Sequence, residues 1–99
     1  MTINKIRNEA KLILSLEGRL DTTTSPELEK EIKNSLDGIA ELVFDLDKLE
    51  YISSSGLRVL LAAQKTMSKQ GYMKIIHPSE IVLEIFDVTG FSDILDIEK

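Results

Sequence analysis

The sequence predicts an α/β protein whose elements follow one another in the order β-β-α-β-α-β-α-β. Segments in which apolar residues recur at every second position alternate with segments in which they recur every three or four positions. Strands separated by helices need crossover connections, which are right-handed and make those strands parallel neighbours. We therefore expect a mixed sheet that is antiparallel only at its first hairpin, with amphipathic helices packed on it.

The first two strands are expected to form that hairpin. Residues 11–18 have the clearer pattern, because three leucines take alternate positions and predict one well-buried face. Residues 2–7 have a weaker pattern, and we expect them to pair with residues 11–18 through a turn near residues 8–10.

A first helix is expected to begin close to Thr24. Thr24 and Glu27 have the spacing of a capping box, in which each side chain bonds the backbone N–H of the other residue. Pro26 suits a first turn, where its missing N–H would have no partner, and Gly38 is placed to end the helix. The expected buried face consists of residues four positions apart: Leu28, Ile32 and Leu36.

The second helical unit follows a short, nearly continuous apolar run at residues 42–46. Such a run suits a strand that is buried on both faces, and a loop is expected after it. From Ser53 to Lys69 the pattern is helical, and Gly71 can end that helix. The expected buried stripe comprises Leu57, Leu60, Leu61 and Gln64, widened by Val59, Ala63 and Met67.

The last part of the chain predicts a further strand, a third helix and a final short strand. Residues 72–76 form the strand, residues 77–79 a turn, and residues 94–97 the final strand. Gly90 is placed to end the helix. Its expected buried side carries Ile81, Val82, Ile85 and Phe86.

Length and composition indicate one small domain, residues 1–99, with one core. The absence of cysteine excludes disulfides, thiolate metal sites and cysteine nucleophiles. A net charge of −5 without a basic run argues against direct nucleic-acid binding. No apolar stretch is long enough to cross a bilayer, and no leader precedes the first strand, so we expect a cytoplasmic protein.

A cluster of serines at the entrance of the second helix is the strongest candidate for a functional site. Ser53, Ser54, Ser55 and Gly56 lie between a strand and a helix, at the strand's carboxyl end, where α/β proteins tend to bind ligands. The hydroxyls can simply cap the free N–H groups of the helix. A phosphate there would add charge that the helix N-terminus tolerates and a docked partner does not. Both interpretations stay open on the residues alone.

Four stretches of the chain together resemble bacterial anti-sigma-factor antagonists of the STAS family, and they cover nearly the whole length in the right order. They are residues 18–21 (GRLD), 43–46 (VFDL), 49–58 (LEYISSSGLR) and 78–91, which includes IFDVTGF. The resemblance implies a STAS fold and a binding protein, with no enzymatic activity and no cofactor. It also implies that the unphosphorylated protein binds a serine kinase that acts as an anti-sigma factor.

By the same resemblance, Ser54 is the residue that this kinase phosphorylates, which inactivates the antagonist until a serine phosphatase restores it. Many relatives have Asp before that serine, whereas this chain has Ser53, which becomes a second possible acceptor. The implied partner surface comprises Asp21, Thr22, Ser53, Ser54, Ser55, Gly56, Leu57 and Arg58. Many relatives continue into a further helix after the last strand. Without that helix, apolar surface would be exposed and would favour self-association, so we expect a monomer or a weak dimer.

Several other functions fit the sequence less well. A constitutive STAS interaction or scaffold subunit, without phosphorylation, is the main alternative. A serine hydrolase is disfavoured because the glycine required two residues before the nucleophile is absent. His77, the only histidine, has no evident catalytic partner in the sequence. Asp21, Asp45 and Asp47 could gather around a divalent cation, but aspartates in turns are common for conformational reasons, so we expect no metal site.

Overall fold

The computed structural model describes all of residues 1–99 and has the predicted α/β order of elements. None of its helices has the length and apolar composition needed to span a membrane. A short 3₁₀ helix, Phe91–Asp93, precedes the last strand. The other elements are β1 Thr2–Asn8, β2 Lys11–Leu20, α1 Ser25–Ser35, β3 Glu41–Ile52, α2 Ser54–Met67, β4 Tyr72–Ile76, α3 Glu80–Thr89 and β5 Ile97–Glu98.

The five strands form one mixed sheet in the order β1-β2-β3-β4-β5. β1 pairs with β2 antiparallel, and every later pair is parallel, as predicted from the helical crossovers. Because each crossover steps to the next strand in the same direction, right-handed connections place the helices on one face of the sheet.

The core lies between that face and the helices. Register places Leu14, Phe44 and Ile75 side by side on the inner face, and all three are fully buried. Buried residues of all three helices, among them Val82, join the same apolar cluster. Val43 points to the opposite face and lies outside the cluster, although it too is buried.

The third strand is longer than predicted, and the expected loop after residue 46 is wrong. β3 continues to Ile52 through two bulges. Ser15 pairs with Asp45 but Glu17 pairs with Lys48, and a second shift separates the pairs Gly18–Leu49 and Arg19–Tyr51. A bulge adds a residue to one strand and breaks the period of two. The buried residues beyond Asp45, Leu46, Leu49 and Ile52, therefore recur every third position and do not resemble a strand in the sequence.

Two expectations for the last third of the chain also need correction. Only residue 97 of the predicted final strand, residues 94–97, is in β5, because the N–H groups of Ile94 and Leu95 bond the carbonyl of Phe91 in a turn. In α3, Val82 and Phe86 are buried as predicted, but Ile81 is 58% exposed. Successive helical residues differ by about 100°, so Ile81 points away from the core that Val82 enters.

Gly56 determines how closely α2 approaches the sheet. A Cβ atom at this position would lie 2.7 Å from Leu20 Cγ and 2.9 Å from Ile52 Cγ1. Both neighbours are fully buried at the ends of β2 and β3, so neither has room to move. Only glycine allows the first turn of α2 to pack directly on these strand ends.

We predict that Gly56→Ala lowers the free energy of unfolding by about 1–3 kcal/mol, because the added methyl group overpacks the contact with Leu20. Urea unfolding measures the change, and Ser54→Ala, at an exposed position of the same helical turn, serves as the control with an expected change within about 0.5 kcal/mol. Helix propensity alone would make Gly56→Ala stabilising by roughly 1 kcal/mol, so a stabilised variant would contradict the packing argument.

Candidate functional site

The candidate site lies at the carboxyl ends of β2 and β3. These strands are parallel neighbours, so the turn after β2 and the entrance of α2 meet at the same edge of the sheet. The backbone N–H of Ser53 donates to the carbonyl of Leu20 at 2.8 Å and joins the two segments directly. Asp21 and Thr22, which follow Leu20, are thereby brought close to the serine cluster.

Ser53 is the N-cap of α2, so the capping interpretation is confirmed for this serine. Its Oγ accepts a hydrogen bond from the N–H of Gly56 at 3.3 Å, and its carbonyl accepts one from the N–H of Leu57 at 2.9 Å. Its backbone is extended (φ −94°, ψ 175°), as an N-cap requires. The Ser53 hydroxyl therefore already has a structural role.

Ser54 is the first residue of α2 and is exposed to solvent. Its hydroxyl makes no hydrogen bond within the protein, since all the side-chain bonds of the cluster involve Ser53 or Ser55. The first N–H groups of a helix have no intrahelical acceptor and carry the positive end of the helix dipole. Ser54 thus presents a free hydroxyl at a place that favours negative charge.

Ser55 faces the turn after β2. Its Oγ lies 3.4 Å from Oγ1 of Thr22, and either hydroxyl can be the donor. The two residues border a shallow cavity of about 250 Å³ between the first turns of α1 and α2. The cavity is lined by Thr22, Ser25, Pro26, Glu29, Ser55, Arg58 and Val59.

The remaining predicted site residues divide into two groups. Arg58 is exposed beside the cavity and is available for contact. Gly56 and Leu57 are buried, with Leu57 only 4% exposed, so they support the surface from below. A partner would meet the side chains around them.

Asp21 organises the turn between β2 and α1, which corrects the predicted capping box of Thr24 and Glu27. Thr24 is the N-cap residue but makes no side-chain capping bond. Its hydroxyl instead accepts from the N–H of Asp21 at 2.8 Å and donates to the carbonyl of Arg19 at 2.9 Å. Asp21 Oδ1 accepts the N–H groups of Thr23 and Thr24 at 3.0 and 3.1 Å.

The same hydrogen bonds stabilise the ionised form of Asp21. The hydroxyl of Thr23 donates to Oδ1 at 2.7 Å and is the main reason that the pKa of Asp21 lies below its ordinary value of 3.8. The backbone bonds lower the pKa further, and desolvation opposes them. Asp21 therefore presents a carboxylate at the edge of the site throughout the physiological pH range.

The acidic residues do not gather into a metal site. No three His, Cys, Asp or Glu side chains lie in an arrangement that could hold an ion. Asp45 Oδ1 instead accepts from the N–H of Asp47 at 3.1 Å and lies 3.5 Å from Nδ1 of His77. Of the three aspartates considered for a cation, Asp45 and Asp47 thus share one local arrangement, and Asp21 belongs to another.

The sequence interpretation missed a pair of residues beside the site. The guanidinium of Arg19 lies over the ring of Tyr51, 4.5 Å from its centroid, and the two residues are paired across β2 and β3. A cation in this position is attracted by the negative face of the aromatic ring. The pairing was not visible in the sequence because both strands were expected to end before these residues.

We predict that Thr23→Val raises the pKa of Asp21 toward its ordinary value, because the variant removes the hydroxyl that does most to lower it. A lowered native pKa stabilises the fold above about pH 3.8, and this stabilisation is lost as the pH falls through the native pKa. Thr23→Val should therefore be less stable than the wild type at neutral pH, with a smaller difference in acid.

Carbon-detected NMR titration of Asp21 and urea unfolding at neutral and acidic pH measure these two effects. Thr22→Val is the matched control, because the Thr22 hydroxyl makes no bond to Asp21 and points toward Ser55. An unchanged Asp21 pKa in Thr23→Val would show that the backbone N–H groups and the Thr24 hydroxyl determine it instead.

Comparison with solved structures agrees with this architecture. The anti-sigma factor antagonist SpoIIAA in its unphosphorylated form superposes with a TM-score of 0.85 at 16% identity, covering 99% of this chain and 89% of that one. The phosphorylated form of SpoIIAA gives a TM-score of 0.76 at 15% identity and covers 99% and 92%. At these identities the likeness concerns the fold.

Comparison of sequences extends the likeness to the family. The chain is 35% identical to BtrV of Bordetella bronchiseptica, a protein named for an anti-sigma factor antagonist role, over 98% of this chain and 84% of that protein. It is 32% identical to the anti-sigma-B factor antagonist of Bacillus subtilis, over 92% and 84%. The family model described as the STAS domain matches residues 2–99. This chain therefore belongs to the STAS domain family.

Proposed function

We propose that this protein is a cytoplasmic anti-sigma factor antagonist that is switched off by phosphorylation of Ser54. The observation that carries the proposal is the free, exposed hydroxyl of Ser54 at the first position of α2. In its unphosphorylated form the protein binds an anti-sigma factor serine kinase and so releases the sigma factor. A serine phosphatase reverses the modification.

The relatives support this role. Both sequence relatives described above are named as anti-sigma factor antagonists, and each aligns with more than nine-tenths of this chain. SpoIIAA, which shares the fold, has been solved in unphosphorylated and phosphorylated forms. A phosphorylation-controlled antagonist is therefore the function that agrees with the names of the relatives and with an accessible serine at the helix entrance.

The geometry of α2 explains how a phosphate could block binding while the fold survives. A phosphoserine carries roughly −1.5 to −2 charges, which the N–H groups and dipole at a helix N-terminus stabilise. No hydrogen bond of the native structure depends on the Ser54 hydroxyl, so its modification removes none. A partner that covers Ser54 would have to desolvate the phosphate, which costs far more than covering a hydroxyl.

The three serines of the cluster are not equivalent as acceptors. Modification of Ser53 would remove the N-cap that bonds Gly56, and Ser55 is half-buried against Thr22. Ser54 is the only one of the three that is both exposed and without a hydrogen bond. This difference favours Ser54 over Ser53 as the phosphate acceptor, although both lie at the helix entrance, where N–H groups are free.

The proposed partner surface surrounds Ser54 on the same edge of the sheet. Asp21 and Thr22 come from the turn after β2, whereas Ser55 and Arg58 come from α2. An ionised Asp21 and an exposed Arg58 place opposite charges on this surface, so the kinase needs a basic and an acidic group in matching positions.

We predict that the anti-sigma factor serine kinase of the same organism, incubated with this protein and ATP, places one phosphate on Ser54. Mass spectrometry of peptides locates the phosphate. Ser54→Ala should abolish the modification, and Ser53→Ala should retain it, because only the Ser54 hydroxyl is free. Phosphate on Ser53 in the wild type would contradict the assignment.

We predict that Ser54→Asp weakens binding to the kinase by about tenfold or more, because a buried carboxylate lacks the solvation it has in the free protein. Isothermal titration calorimetry measures the affinity, and thermal melting should show an unchanged fold. Asn34→Asp adds the same charge at an exposed position of α1 remote from the first turn of α2, and it should bind like the wild type. Equal binding by Ser54→Asp, with no phosphorylation under any condition, would favour a constitutive scaffold.

A further inference from the structure

The exposed side of α3 carries two large apolar residues, Ile81 and Val88, that the core does not use. Ile81 is 58% exposed and Val88 is 77% exposed, and Ile85 between them is half-buried. Residues at positions i, i+4 and i+7 lie on one face of a helix, so these three form a continuous strip, which we name the α3 stripe. Val82 and Phe86 anchor α3 to the core, and Ile85 packs against the edge of that core, so the fold does not require Ile81 or Val88.

The chain around the α3 stripe contains all of the protein's excess negative charge. Six acidic residues and no lysine or arginine lie between Ser79 and Glu98, whereas the rest of the chain has eleven acidic and twelve basic residues. Only Glu98 has a salt-bridge partner, Lys74 at 3.0 Å. The acidic residues are Glu80, Glu84, Asp87, Asp93, Asp96 and Glu98.

The acidic residues of α3 are arranged unfavourably for an isolated helix. Glu80, Glu84 and Asp87 follow one another at spacings of four and three, where like charges repel. Asp87 also lies in the last turn, which contains no basic residue and where negative charge opposes the helix dipole. Glu84 is a helical neighbour of both Ile81 and Val88, so this charge borders the α3 stripe directly.

The charge decides which kind of partner can cover the stripe. A second copy of the protein would bring an identical acidic surface against this one, and nucleic acids and anionic membranes carry the same sign of charge. A basic protein surface, in contrast, would offset the repulsion within α3 while its apolar side chains cover Ile81 and Val88. The apolar strip and its acidic border are complementary to a basic amphipathic helix.

We propose that the α3 stripe is a second docking surface, which binds a partner protein through a basic amphipathic helix. Apolar side chains of that helix pack on Ile81, Ile85 and Val88, and its lysines or arginines pair with Glu84 and Asp87. The surface belongs to a different helix from Ser54 and does not require its modification, so the proposal stands or falls independently of the phosphorylation switch.

Two synthetic helical peptides test this proposal on the intact protein. Both have leucines along one face, and the other face carries lysines in one peptide and glutamates in the other. Methyl NMR should show the lysine peptide shifting the signals of Ile81, Ile85 and Val88, with an affinity that falls as salt is added. Equal binding of the glutamate peptide, or shifts confined to other methyl groups, would overturn the proposal.

Variants of the stripe give the second test. Ile81→Ser combined with Val88→Ser should weaken binding of the lysine peptide by about tenfold or more, because the peptide loses two apolar contacts. Ile6→Ser is the matched control, since Ile6 is 60% exposed but lies on β1 at the outer face of the sheet. Ser54→Asp should bind the lysine peptide as tightly as the wild type, because Ser54 lies on a different helix from the stripe.

Sedimentation of the free protein tests the remaining possible occupant of the stripe, which is a second copy of the protein. A dimer that the double variant abolishes would identify a second copy as the partner and overturn the proposal. A protein that stays monomeric at the concentration of the NMR experiment, and binds the lysine peptide through the stripe, supports it.

Discussion

The close packing of the first turn of α2 on the ends of β2 and β3 is the constraint on which the candidate site depends. Gly56 permits it, because any side chain there would collide with Leu20 and Ile52. The hydrogen bond from Ser53 N–H to the Leu20 carbonyl then fixes the strand end against the helix entrance. This contact holds the turn that contains Asp21 against the serine cluster, at the edge where the parallel strands bring the two segments together.

This packing gives neighbouring serines separate roles. Ser53 is used by the fold as the helix cap, and Ser55 faces Thr22, which leaves Ser54 as a free hydroxyl. A charge added to Ser54 would therefore change what the surface can bind while leaving the hydrogen bonds of the fold in place. Because Ser53 caps the helix and Ser54 remains free to accept a phosphate, a protein of 99 residues could carry such a switch.

The one-sided arrangement of the helices accounts for both proposed surfaces. Parallel strands followed by helices on one face place the N-termini of α1 and α2 at the same edge of the sheet, where the Ser54 surface lies. α3 is the last helix of the layer, and Ile81 and Val88 remain exposed there beside an acidic border. One small fold thus presents two surfaces of different chemistry, the first polar and the second apolar and acidic.

The sequence by itself determined the order of elements, the parallel pairing and the position of the serine cluster at a helix entrance, because these follow from local periodicity and turn residues. Only the tertiary structure decided that β3 runs through two bulges to Ile52, that Asp21 organises the turn assigned to Thr24 and Glu27, and that Ile81 faces solvent. It also decided which serine is free. The course of β3 and the exposure of Ile81 depend on contacts between residues that are distant in the chain or on the direction a side chain takes relative to the core. The Asp21 turn is local, but the sequence allows more than one pattern of side-chain bonds there, and only the folded backbone selects one.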